Sequence, residues 1–156
     1  MFVIDIEASG LGDDSYPIEI AWGHRYDPTF YDTFLIRPAR DWTHWDNHAE
    51  LNIHGLSRET LYREGVSVQD AVARLEQHLR GKTVYSDHVA SDRPWVVKLY
   101  SQLGREPSFE FRPVQSLVRP DKVSEFCLRY SSTPIRHRAL ADVRKIISTL
   151  NYFAPE

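Results

Sequence analysis

Two acids near the start of the chain stand where an acid is costly. The opening run "MFVIDIEASGLG" contains Phe2, Val3, Ile4 and Ile6, residues that favour strands and mark a buried one. Side chains alternate across a strand, so Asp5 and Glu7 share a face with Val3. Like charges on one face repel, and burying either is costly unless something positive compensates. Two further acids lie at element ends: Asp92, where a helical stretch begins after "KTVYS", and Asp142, in the last helical stretch. Four carboxylates drawn from a strand and two helices could converge on hard oxygen ligation. That chemistry suits two Mg²⁺ or Mn²⁺ ions rather than a metal that seeks thiolate or imidazole. Two such ions are a standard device for breaking a phosphodiester. His137 would add a base with a pKa near neutrality to take a proton from water.

These residues need elements to position them. Residues 2–7 read as a strand, "PIEIAWGHRY" as a second, and "FYDTFLIRP" as a third, after a turn at Asp27-Pro28 and stopped by Pro38. Short connections predict an antiparallel meander for these three. The period then changes. "DNHAELNIHG" predicts a short helix ended by Gly55, and "SRETLYREG" another. "SVQDAVARLEQHLRG" repeats Val68, Ala71, Val72, Leu75 and Leu79 at three and four, a helix closed by Gly81. "KTVYS" predicts a short inner parallel strand, "SDRPWVVKLYSQLG" a helix with Pro94 near its start, and residues 109–112 a last strand. "KVSEFCLRY" and "ALADVRKIISTLNYF" predict two more helices. The expected architecture is α/β: a mixed sheet of about five strands, the first three antiparallel, flanked by helices.

His137 sets a geometric condition. Five residues apart in one regular helix, it and Asp142 would point about 140° apart. They address one site only if His137 precedes the helix. Thr133-Pro134 could cap a helix that already contains His137. A start near Ala139 is preferred because the site then closes.

With these residues in place, "DIEASGL", "SDHVASD" and "HRALAD" resemble the three motifs of the DEDDh 3′–5′ exonucleases, the family of proofreading subunits and oligoribonucleases. The first matches through Asp5, Glu7, Gly10 and Leu11, the third through His137 and Asp142, and Asp92 falls on the second motif's carboxylate. "IHGLS" resembles a further family segment, and the likeness runs from residue 2 to about 150. Three departures stand out. Asp87 and His88 replace the usual His-Asn pair, "VQSL" replaces an Asp-Thr, and the segment before His137 is short.

The resemblance implies a ribonuclease-H-like sheet and one exonuclease domain over 1–156. It implies metal ligation by Asp5, Glu7, Asp92 and Asp142, with His137 as general base. It further implies that Ala8, Ser9, Gly10 and Leu11 lie against the terminal nucleotide, and that His54 stands behind the site or touches substrate. The implied activity is release of nucleoside 5′-monophosphates from single-stranded DNA or RNA 3′ ends, and a homodimer is allowed for. A catalytically silent nucleic-acid-binding or scaffold protein on the same fold is the alternative. A Mg²⁺-dependent phosphatase would release inorganic phosphate instead.

At 156 residues and 18.2 kDa the chain is long enough for one domain with a real core. Net charge is −3, yet residues 112–145 hold eight basic residues against three acids. There Arg136, Arg138 and their neighbours are candidate phosphate contacts. The single Cys127 excludes an intramolecular disulfide framework, and its ordinary role would be a small buried hydrophobe. No apolar run is long enough to span a membrane. Asp5 and Glu7 interrupt the N-terminal apolar run, so it does not read as a signal peptide, and a cytoplasmic location is expected. His44 and His48 have a zinc-like i, i+4 spacing without further ligands at matching spacing. Trp42 and Trp45 are read as packing under a loop.

Overall fold

The computed structural model describes residues 1–134 and 137–153. Phe2–Ala8 forms strand β1, which lies in the middle of a five-stranded sheet. On one side β2 (Pro17–His24) and β3 (Asp27–Leu35) follow in antiparallel pairing. On the other, β4 (Thr83–Ser86) and β5 (Glu110–Pro113) are parallel, giving the order β3-β2-β1-β4-β5. The mixed sheet and its antiparallel first three strands match the sequence expectation.

The alternation read from β1 sorts its side chains between two cores. Ile4 and Ile6 join Ile18, Ile20 and Trp22 on one face. There they meet helices α3 (Val68–Leu79) and α4 (Val89–Ser101) through Leu75, Leu79, Val96 and Leu99. Val3 and Ala21 point to the other face, under α5 (Val123–Ser132) and α6 (Ala139–Phe153). Covered on both faces, β1 and β2 need to be apolar throughout. Asp5 and Glu7 therefore point with Val3 into the layer between the sheet and α6. At Gly23 an added Cβ would lie 3.0 Å from Val143 Cγ1, so the glycine lets α6 approach β2.

Remaining elements are short. α1 (Asn47–Ala49) runs directly into a π-helical turn at Glu50–His54, which Gly55 ends with φ 68°. The sequence pattern predicts a single helix there. Ser57 and Ser67 cap α2 (Arg58–Glu64) and α3 by accepting the Thr60 and Asp70 N–H groups, each at 3.1 Å.

Three expectations need correction. The β2–β3 turn is Arg25-Tyr26, not Asp27-Pro28, and Asp27 already pairs with His24. Buried Arg25 fixes this: its N–H donates to the Met1 carbonyl at 2.9 Å and its guanidinium to Asn151 at 2.9 Å. Pro28 is tolerated because β3 is an edge strand. Secondly, α4 begins at Val89, so Pro94 lies inside it and Asp92 is in its first turn. Thirdly, Cys127 is exposed, because its neighbour Phe126 takes the inward position on α5. Among the described residues no helix is long and apolar enough to cross a membrane.

Candidate metal and catalytic site

At the C-terminal end of β1, five carboxylates and one imidazole come together in two neighbouring groups. Ligating atoms of Glu7, His137 and Asp142 lie within 4.8 Å of one another, and so do those of Asp5, Asp87 and Asp92. The elements explain the convergence. β1 supplies Asp5 and Glu7 on its α6 face, while Asp92 and Asp142 sit in the first turns of α4 and α6. First-turn positions favour a carboxylate, because helix N-termini carry partial positive charge. His137 precedes α6 with φ 47°, the described non-glycine residue in the left-handed region. It therefore escapes the divergence that one regular helix would impose.

Electrostatics mark the group as crowded. Burial, and then the neighbouring Asp92, Glu7, Asp87 and Asp142, push Asp5 well above the usual carboxylate range. Glu7 is pushed up to about 8 by burial, then by Asp142, Glu19 and Asp92. Burial likewise carries Asp92 to about 8, with Asp87 adding to the shift and the Ser86 hydroxyl opposing it. Asp5 Oδ2 is buried without a hydrogen-bond partner among the described residues. Such an oxygen, facing other carboxylates, fits a site for divalent cations. The donor set is mainly hard oxygen, as Mg²⁺ or Mn²⁺ needs.

The loop after β1 divides the expected nucleotide contacts. Leu11 is 80% exposed and faces a cleft of about 280 Å³ shared with Ser91, Pro94 and Trp95 of α4. Ala8 is buried. Ser9 is fully buried and committed internally. Its N–H donates to the Tyr16 carbonyl at 2.9 Å, its carbonyl accepts from Asp46 N at 3.0 Å, and its Oγ meets His44 Nδ1 at 3.0 Å. These bonds bind the loop to the segment carrying Asp46 and leave Ser9 no polar group for a substrate. Gly10 is required by close approach, since an added Cβ would lie 2.7 Å from His44 Cε1 and 2.8 Å from Asp46 Cβ. Gly10→Ala is expected to destabilise the protein by about 1–3 kcal/mol through overpacking. Thermal unfolding checks this, and an unchanged Tm would contradict it.

His54 is buried beside the Trp45 ring, and its Nδ1 accepts the Leu56 N–H at 3.0 Å. Burial holds it below the usual histidine range, and Nε2 has no partner among the described residues. His44 and His48 join no group of three candidate ligands among the described residues. Trp42 stacks on Tyr16 at 5.1 Å, as packing predicts.

Arg138 has a partner inside the fold. Its Nε donates to Glu19 Oε2 at 2.9 Å and a terminal nitrogen to Oε1 at 3.2 Å. Glu19 lies opposite Glu7 across β1 and β2 and is 3% exposed. Arg138 thus neutralises a buried acid next to the site. Arg138→Ala should cost about 1–3 kcal/mol by stranding that carboxylate, read as a lower denaturant midpoint. Arg136 lies outside the described residues. Elsewhere in the basic segment, Arg119 and Lys122 pair with Asp121 and Glu125. Arg129, Arg144 and Lys145 instead rest on the rings of Tyr152, Tyr31 and Tyr130.

Sequence reasoning did not assign Asp87, Glu19 or Tyr130 to the site. Glu19 carried a signal, an acid inside the alternating run "PIEIAW" like the one in β1. A cavity of about 790 Å³ lies between α6 and the β2–β3 turn and is lined by none of the clustered acids.

No family model and no curated protein matches the chain. Solved structures of exonuclease I are similar to it. The zinc-bound E. coli ExoI–ssDNA complex superposes with a TM-score of 0.73 at 16% identity, covering 96% of this chain and 39% of that one. The E. coli enzyme in complex with a dA16 oligonucleotide gives 0.74 at 15% identity, covering 99% and 41%. A moderately thermophilic exonuclease I from Methylocaldum szegediense gives 0.71 at 20% identity, covering 96% and 39%. This chain therefore spans about two fifths of the length of those proteins, and what it shares with them at such identity is the fold of that part.

Proposed function

We propose that this chain is a metal-dependent 3′–5′ exonuclease of the DEDDh type, acting on single-stranded nucleic-acid ends and releasing nucleoside 5′-monophosphates. The observation that carries the proposal is the convergence of Asp5, Glu7, Asp92 and Asp142 with His137 at one end of the central strand. The likeness in fold to exonuclease I supports it, and the oligonucleotides named in those complexes make single-stranded DNA the first substrate to test.

Asp5, Glu7, Asp92 and Asp142 would hold two Mg²⁺ or Mn²⁺ ions. Bound there, the ions would ease deprotonation of the attacking water and stabilise the charge on the leaving 3′ oxygen. His137 would accept the water's proton, since it reaches Glu7 and Asp142 from outside the helix. Leu11, the exposed tip of the loop after β1, would pack against the terminal base. The chain of residues 1–156 would act as one catalytic domain.

The test uses 5′-labelled single-stranded DNA and RNA with Mg²⁺ or Mn²⁺. The expected product is a ladder shortening from the 3′ end, lost in His137→Ala. A ladder that persists in that variant, or inorganic phosphate as the product, contradicts the proposal. Comparing the two labelled strands also decides between DNA and RNA, because a preference rests on contacts to the 2′-hydroxyl.

A further inference from the structure

Beyond the four acids assigned above, a fifth lies in the same cluster. Asp87 follows β4 directly, and its carboxylate stands within 4.8 Å of those of Asp5 and Asp92. Three carboxylates at this spacing repel unless a cation lies between them. Two further observations point to a ligand. Asp5 Oδ2 is buried and accepts no hydrogen bond among the described residues. Asp87 is also held from behind, where the Tyr130 hydroxyl donates to its Oδ2 at 2.7 Å. Tyr130 is in turn fixed by stacking on Phe126 and by the Lys145 ammonium 3.9 Å from its ring centre. α5 thus orients an acid that a half-exposed loop would otherwise leave free to rotate. A carboxylate offers about four lone-pair sites, so one bond to a phenol leaves oxygen for a cation.

We propose that Asp87 is a carboxylate ligand of the divalent cation shared with Asp5 and Asp92, and that Tyr130 is its positioning residue. The inference rests on the metal-dependent reading above. A third carboxylate in this half of the site raises its negative charge, so it should be the tighter of the two cation positions.

Mn²⁺ titration of the full chain, followed by calorimetry and by the loss of the free-ion electron paramagnetic signal, tests this without reference to turnover. Asp87→Asn should weaken the tighter Mn²⁺ equivalent by about 100-fold and Tyr130→Phe by about 10-fold, the range for removing a ligand or its support. Metal-free Asp87→Asn should melt no lower than the parent chain, because a crowded charge has been removed. Asp92→Asn serves as the control. Parent-like Mn²⁺ affinity in Asp87→Asn, alongside a weakened Asp92→Asn, overturns the assignment of Asp87 alone. Parent-like affinity in Tyr130→Phe overturns the positioning role, and this variant keeps the assignment testable if Asp87→Asn fails to fold. A parent chain that binds no Mn²⁺ removes the metal-dependent reading itself.

Discussion

Asp5→Asn should reduce nuclease turnover by a factor on the order of 10³ or more, while making the metal-free protein more stable at pH 8. The two effects share one cause. Asp5 is surrounded by Asp92, Glu7, Asp87 and Asp142, and burial with that company disfavours its charge. Asparagine keeps the shape, removes the repulsion and can donate its N–H groups to the neighbouring acids. It also removes a charge that a divalent ion needs, and each 1.36 kcal/mol lost from transition-state stabilisation is about tenfold in rate. A residue serving only the fold would lose stability on substitution. Paired measurements of turnover and denaturant midpoint separate the two roles, and an active or destabilised Asp5→Asn protein would refute the assignment.

The second large effect is in pH. Glu7 and Asp92 are each pushed up to about 8 in the folded protein, chiefly by burial. The ordinary values of these groups are 4.5 and 3.8. Below those values both states carry the proton and no penalty arises. As pH rises past them, the unfolded chain ionises while the folded chain keeps its protons. Stability of the metal-free protein should therefore fall between about pH 4 and pH 8 and level off above. Glu76 acts in the opposite direction: burial raises it, but hydrogen bonds from Ser108, Tyr100 and Arg80 outweigh this and lower its pKa. Its window lies below pH 4.5, where stability is lost as pH falls. Mg²⁺ or Mn²⁺ should reverse the decline, since binding displaces protons and grows stronger as the acids ionise. Thermal unfolding from pH 5 to 8, with and without the ion, should show a metal-induced rise in Tm several times larger at pH 8. A shift independent of pH would show that these carboxylates are not the ligands.

Much of this was legible because the period-two pattern of β1 is strict. Val3, Asp5 and Glu7 had to share a face, and that face lies under α6. The helix start at Ala139 was also readable, because only a histidine outside the helix could meet Asp142. Asp87 was visible as a departure from a motif, but its use depends on Tyr130 arriving from another helix, and no local pattern records that contact. The same holds for Arg138, which reads as a surface cation until β2 places Glu19 beside it. Ser9 shows the same dependence, since the chain around Tyr16 and Asp46 folds back over it. Local residue types thus identified the acids, whereas partners supplied across the sheet decided which polar groups remained free.

The placement of α6 has a consequence for the order in which the chain is made. Asp5 is synthesised well before Asp142 and His137, which reach it only when α6 packs across β1 and β2. N-terminal segments emerge first from a ribosome, and contacts of large sequence separation form late. A nascent chain can therefore build most of its sheet while the acid cluster is still incomplete. Whatever chemistry the cluster performs has to wait until α6 docks.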